Sequence, residues 1–147
     1  MQRALMVVGV AVALALTWSV GSVQVQAKSP KKQDLLFVSA DDAKFKDVIP
    51  GVAKAVLWGN HDKGPYGAFT KFAPGFDGGM HTHTNALRIV VLKGAYLYKD
   101  DAGEKRVEAG DFIRIPARHK HWSGGDKKDG ALFYEESNGK FGLLPAK

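Results

Sequence analysis

His81 and His83 stand two residues apart in Gly75-Phe-Asp-Gly-Gly-Met-His81-Thr-His83, and a third imidazole follows in Gly110-Asp-Phe-Ile-Arg-Ile-Pro116-Ala-Arg-His119-Lys-His121. Residues i and i+2 of a strand point to the same face, so His81 and His83 can converge on one point. A third histidine from a distant strand, His121, completes a site made of nitrogen ligands alone. His119 shares the strand parity of His121 and is the alternative third ligand. The expected cofactor is a divalent ion, and Fe, Zn, Mn, Ni or Cu all fall within what such ligands accept. Neutral imidazoles leave the ion its full charge, so balance must come from hydroxide, an anionic molecule or the surroundings. Open coordination positions suit Lewis-acid or dioxygen chemistry.

Other side chains are placed to support such a site. Thr84 and Asp77 lie close enough in sequence to orient an imidazole N–H. Tyr96, Tyr98, Phe133 and Glu135 sit on later strands and are expected to line the pocket. Glu135 is the best carboxylate for general-base work, although an exposed surface glutamate is its plainer reading. Trp58, Phe69, Phe72, Met80 and Trp122 read as core or pocket wall. Alternation from Leu87 turns Arg88 outward, and His61 belongs to an exposed polar loop. No serine has a triad context and no glycine-rich loop leads into a helix, which argues against nucleophilic hydrolysis and nucleotide binding.

The elements that must carry these residues are short strands. Leu35 to Val38, Val52 to Trp58, Tyr66 to Phe72, Leu87 to Lys93 and Ala131 to Glu136 are β-forming runs. Ala95 to Lys99 and Arg106 to Glu108 read as a hairpin around Asp100-Asp-Ala-Gly103, and Asp111 to Ile115 as a further strand. Ser39 to Asp42 is expected to cap a brief helical turn, with Phe45 facing inward. Pro50-Gly51, Gly94 and Ala109-Gly110 read as turns, Pro116 to Lys120 as a loop or edge, and Ser123 to Gly130 as a connection. Many short strands broken by Gly and Pro predict an all-β sandwich or small barrel.

The first 27 residues read as a leader. Met1-Gln-Arg3 is a positive start, Ala4 to Leu16 an apolar run, and Val25-Gln-Ala27 fits the rule for cleavage after Ala27. The predicted organisation is a signal peptide at 1–27, a polar tether at 28–34 and one domain at 35–147. A periplasmic or secreted location follows, with no stable membrane span after processing; an uncleaved anchor extending to Val23 is the alternative. The chain has no cysteine, so an exported domain would fold without disulfides and any metal would rest on nitrogen and oxygen. The formal charge of +6 is dispersed among acids rather than gathered into a stripe with aromatics, which argues against nucleic acid as a partner and leaves a small-molecule ligand or substrate.

The spacing resembles the two signature motifs of the cupin superfamily. Gly75, His81, His83 and Gly94 fall on the positions of G(X)5HXH(X)3-4E(X)6G, and Gly110, Pro116 and His121 on those of G(X)5PXG(X)2H(X)3N. Leu57-Trp58-Gly59, Gly64-Pro-Tyr-Gly67 and Phe72-Ala-Pro-Gly-Phe76 are similar to the ChrR-like single-domain cupins. The resemblance implies a double-stranded β-helix, the RmlC-like jelly roll, with the site in the barrel mouth and His121 rather than His119 as third ligand. It also implies homodimerisation through barrel strands. Three positions depart from the motifs: Leu87 stands where the glutamate ligand belongs, Arg118 replaces a glycine, and Gly125 replaces the final asparagine. Without the glutamate, the ligand set resembles that of three-histidine dioxygenases. The expected function is an exported metal-binding cupin acting on a small, anionic or oxygen-rich molecule, a candidate dioxygenase. The alternatives are a non-catalytic sensor or carrier, and a metal-free scaffold.

Overall fold

The computed structural model describes residues 34–146, and Leu36–Lys147 form one compact unit. The leader read at 1–27 and all of the tether except Asp34 lie outside the described residues. Among the described residues there is no helix, and none is therefore long and apolar enough to cross a membrane.

The described residues form ten strands: β1 (Lys46–Ile49), β2 (Val52–Gly59), β3 (Tyr66–Phe72), β4 (Asp77–His83), β5 (Leu87–Asp100), β6 (Gly103–Glu108), β7 (Phe112–Ile115), β8 (His121–Gly125), β9 (Ala131–Ser137) and β10 (Leu143–Pro145). All pairings are antiparallel, in the order β1-β2-β3-β9-β5-β8-β4-β10, with β6 and β7 also on β5. The sheet curls on itself as the all-β jelly roll expected from the motifs.

The long β5 joins the two halves. Its first part pairs with β9 and β7, and its second with β8 and β6. Leu87, Ile89 and Val91 are buried in the first part, whereas Tyr96 and Tyr98 are buried in the second. Odd residues face inward before Gly94 and even ones after it. A register shift between Val91 and Lys93 inserts the residue that changes the parity. Both halves of one strand therefore face the same interior. Gly94, expected as a turn, is instead the bend within this strand. Its φ is 68°, and a Cβ there would collide with the carbonyl of Gly130.

Further differences have local causes. Leu35 to Val38 forms no strand; Leu35 is 96% and Phe37 87% exposed, so this run has no sheet face to bury against. Ser39 to Asp42 closes a single turn, in which Asp42 N–H donates to the Ser39 carbonyl. The first part of the expected Ser123–Gly130 connection is strand, because Ser123, Gly124 and Gly125 pair with Tyr98, Leu97 and Tyr96. Trp58 and Met80 are 42% and 38% exposed: Met80 alternates with the buried His81, and Trp58 follows the register shift between Val56 and Trp58 at the end of β2.

The core comprises Leu87, Ile89, Val91, Tyr96, Tyr98, Val107, Ile115, Ala131 and Phe133, with Phe72, Ile113 and Phe141 packed against it. Fully burying a Leu, Ile or Phe side chain contributes about 1.5–3 kcal/mol. This cluster anchors β5, on whose second part β8 pairs, and β4 pairs on β8 in turn.

Candidate metal centre

His81 and His83 enter the interior because β4 begins with a bulge. The β4–β8 register shifts between Asp77 and Met80, and Gly79 adopts φ 64°. Asp77 Oδ1 accepts hydrogen bonds from Gly79 N–H (2.9 Å) and Trp122 Nε1–H (2.6 Å), which pins the bulge. Beyond it, His81, Thr82 and His83 alternate in, out, in. His121 opens β8 as the register partner of His81.

The three imidazoles are buried, and each offers a ring nitrogen within 4.8 Å of the others. Ring centroids are 4.3 Å apart for His81–His121, 4.9 Å for His81–His83 and 5.4 Å for His83–His121. His81 Nδ1 lies 2.8 Å from the Gly79 carbonyl, and His121 Nδ1 lies 2.9 Å from the His119 carbonyl. Both rings thus carry the Nδ1 proton and turn Nε2 inward. His83 uses its other nitrogen in a hydrogen bond with the Phe141 backbone. His83 Nδ1 and His121 Nε2 are buried and without a partner.

Burial holds these groups neutral. It lowers the pKa of His81, pushes His83 down to about 3 with help from the neighbouring His81, His121 and Lys54, and pushes His121 down to about 4. Unprotonated nitrogens, aimed at one point and lacking a hydrogen-bond partner, are what a divalent ion requires. The donor set fits the group.

The sequence-predicted neighbours take varied places. Tyr98 is stacked on His121, with centroids 5.5 Å apart and an interplanar angle of 19°, and its hydroxyl donates to Asp100 at 2.7 Å. Tyr96 and Phe133 line the cavity beside His81 and His83, and Tyr96 is hydrogen-bonded to Ser123. Thr84 is not an imidazole's partner: its hydroxyl donates to the Gly142 carbonyl at 3.3 Å. Asp77 likewise serves its bulge. Backbone carbonyls do the orienting instead. His119 points elsewhere, with Nε2 on Asp100 Oδ2 at 2.9 Å. Arg88 faces outward, where it meets Asn138 and Glu136. His61 is half-buried, edge-on to Tyr66.

Glu135 is the largest surprise, being 3% exposed rather than at the surface. It pairs with the buried Lys54 and accepts a 2.8 Å hydrogen bond from the Tyr66 hydroxyl. It stands outside the histidine cluster. Lys54, Tyr66 and Phe141 were not singled out from sequence. Phe141 separates the two polar groups, with its ring centroid 4.9 Å from that of His83 and 3.8 Å from Lys54 Nζ. One signal was available: Lys54 occupies an inward position of the strand Val52-Ala-Lys-Ala-Val-Leu-Trp58. Leu87, at the motif's glutamate position, is 2% exposed and lines the cavity.

A search of curated proteins finds no match. Solved structures share the fold. An RmlC-like cupin from Shewanella frigidimarina is 23% identical with TM-score 0.57, over 72% of this chain and 93% of that one. The polyketide cyclase RemF from Streptomyces resistomycificus gives TM-score 0.64 at 18% identity, over 78% and 87%. Salicylate 1,2-dioxygenase from Pseudoaminobacter salicylatoxidans gives 0.53 at 18%, over 63% of this chain and 26% of that one. Residues 33–138 match the family model described as the ChrR cupin-like domain, and with the three-histidine barrel in place the chain belongs to that family.

Proposed function

We propose that the protein binds a divalent metal ion through His81, His83 and His121 and acts on a small molecule held in the adjoining cavity. The observation that carries this reading is the pair of buried, partnerless ring nitrogens, His83 Nδ1 and His121 Nε2, within a cluster of neutral imidazoles. When bound, the ion would supply Lewis-acid or dioxygen chemistry at its open positions. The chain's own part is to keep three imidazoles deprotonated and oriented, and to surround the reacting molecule with apolar wall. Dioxygenation is the leading reaction class, by analogy with a fold neighbour that is a salicylate dioxygenase.

A non-catalytic sensor or carrier is the second reading, and Glu135 favours it. Among the described residues, the only carboxylate in the cavity lining is engaged by Lys54 and Tyr66, so it is not a free base. We further propose that residues 1–27 direct export, so that the metal is acquired in the periplasm or outside the cell, and that the domain dimerises.

The test is the metal content of the purified 28–147 protein beside His121→Ala. About one equivalent, lost in the variant, supports the centre, as a single three-ligand site demands. No metal, and none taken up on reconstitution, overturns it. Bound iron with oxygen consumption selects the enzyme over the carrier.

A further inference from the structure

The cavity beside the histidines contains a second set of polar groups. Lys54, 5% exposed, projects from β2, and its register partner on β3 is Thr70, 1% exposed. Both line the cavity. Directly opposed residues on one face of an antiparallel pair have Cβ atoms about 5 Å apart, so the two side chains enter the cavity side by side, the ammonium reaching on to Glu135 and the Phe141 ring. Glu135 engages one of the three ammonium donors, leaving others. The Thr70 hydroxyl is buried and has no partner at all. Valine has the same shape without that cost, so nothing in the packing calls for threonine here.

Two donors on one cavity wall, one of them charged, suit an acceptor with two oxygens and no proton. The wall around them is apolar and rich in rings: Phe72, Tyr96, Phe133 and Phe141, with Phe72 and Phe133 edge to face at 5.0 Å. We propose that Lys54 and Thr70 form an anion subsite that binds the carboxylate of a small aromatic acid. This deepens the small-molecule reading above and rests on it. The ring would lie among the phenylalanines, and the rest of the molecule would extend toward His81 and His83. An acid also suits the charge balance once an ion is bound, since Lys54 is already matched by Glu135 and the neutral imidazoles leave the ion's charge uncompensated.

The test uses benzoate as probe and benzamide as its neutral counterpart, titrated calorimetrically into metal-loaded and chelator-stripped protein. Benzoate should bind the wild type, and benzamide should bind more weakly by about tenfold or more, as expected for losing a charge-assisted hydrogen bond. Thr70→Val should weaken benzoate by about tenfold while leaving metal content and folding intact. Lys54→Met/Glu135→Gln, which removes both charges and keeps an acceptor for Tyr66, should abolish the preference for benzoate over benzamide. Wild type that does not bind benzoate, or Thr70→Val that binds it unchanged, overturns the subsite. Benzoate binding that disappears in His121→Ala but survives in Thr70→Val would assign the carboxylate to the metal and overturn it too. Failure of the metal centre is read separately from metal content, and benzoate binding to stripped protein would then stand alone.

Discussion

His81 and His121 are register partners across the β4–β8 pair, and their rings meet at 4.3 Å. The same device holds both. Each ring bonds through Nδ1 to the carbonyl two residues before it, Gly79 for one and His119 for the other. The backbone that builds the ladder thereby fixes which nitrogen faces inward, and no side-chain carboxylate is needed as an orienter. His83 is set differently, from the chain's C-terminal segment through Phe141.

Burial of these imidazoles makes stability depend on pH in a definite direction. Above about pH 6.5 the folded and unfolded forms are both neutral, and the histidines contribute nothing to the pH slope. Below it the unfolded chain takes up protons that His83 and His121 refuse until pH reaches about 3 and about 4. Stability of chelator-treated protein should therefore fall on acidification, by about 1.4 kcal/mol per pH unit for each imidazole kept neutral. Urea midpoints between pH 7 and 4.5 read the effect, and His83→Gln should flatten the slope. A slope identical in the variant would contradict the assignment.

The fold and the three-histidine cluster were legible because each rests on a short-range rule. His81 and His83 follow from strand parity, and Gly75, Gly94, Gly110 and Pro116 place them within two motifs. Glu135 was expected in the pocket, but Lys54 and the pair they form escaped, because a charged residue reads as exposed unless its partner is known and their separation of 81 residues hides the pair. Gly94 was misread for a related reason. A glycine with φ of 68° ends a strand in a hairpin but bends one in a barrel, and only pairing distinguishes the two. Leu35 to Val38 has strand composition, yet composition does not supply a neighbour.

Lys54→Ala should be among the most destabilising single substitutions. It strands the Glu135 carboxylate with Tyr66 as sole donor, and breaking a buried ion pair costs about 3–5 kcal/mol. Lys54→Met/Glu135→Gln should recover most of the loss, because removing both charges avoids the uncompensated one. Thermal denaturation of the two proteins makes the comparison. If the single and double variants are equally unstable, packing by the lysine stem against Phe141 matters more than the pair.

Arg118 keeps a left-handed backbone, φ 61°, at the position where the second motif has glycine. Its N–H donates to the His83 carbonyl at 2.8 Å, so the strained turn is tied to the histidine strand. A non-glycine residue in this region costs about 1–2 kcal/mol. Glycine's greater freedom in the unfolded chain offsets part of that gain. Arg118→Gly should raise the unfolding midpoint modestly and leave metal content unchanged. A fall in stability would show that the exposed arginine makes contacts worth more than the strain.

Leu87→Glu tests what the missing carboxylate does to the centre. Leu87 is 2% exposed, faces the same cavity as His81 and His83, and occupies the first motif's ligand position. In chelator-treated protein the new carboxyl group would be buried without a cationic partner. It should destabilise the fold by a few kcal/mol or stay protonated at neutral pH. With metal present, the carboxylate becomes a fourth ligand and cancels one unit of the charge that three neutral imidazoles leave uncompensated. The variant should thus be less stable than wild type without metal, yet hold metal more tightly and gain more stability from it. Binding linkage provides the scale: raising saturation from 100 to 1,000 times Kd adds about 1.4 kcal/mol. Thermal midpoints with and without added zinc give both quantities from one series. A variant destabilised equally in the two conditions would place residue 87 beyond reach of the ion, and the apolar wall at Leu87 would then belong to the ligand cavity alone.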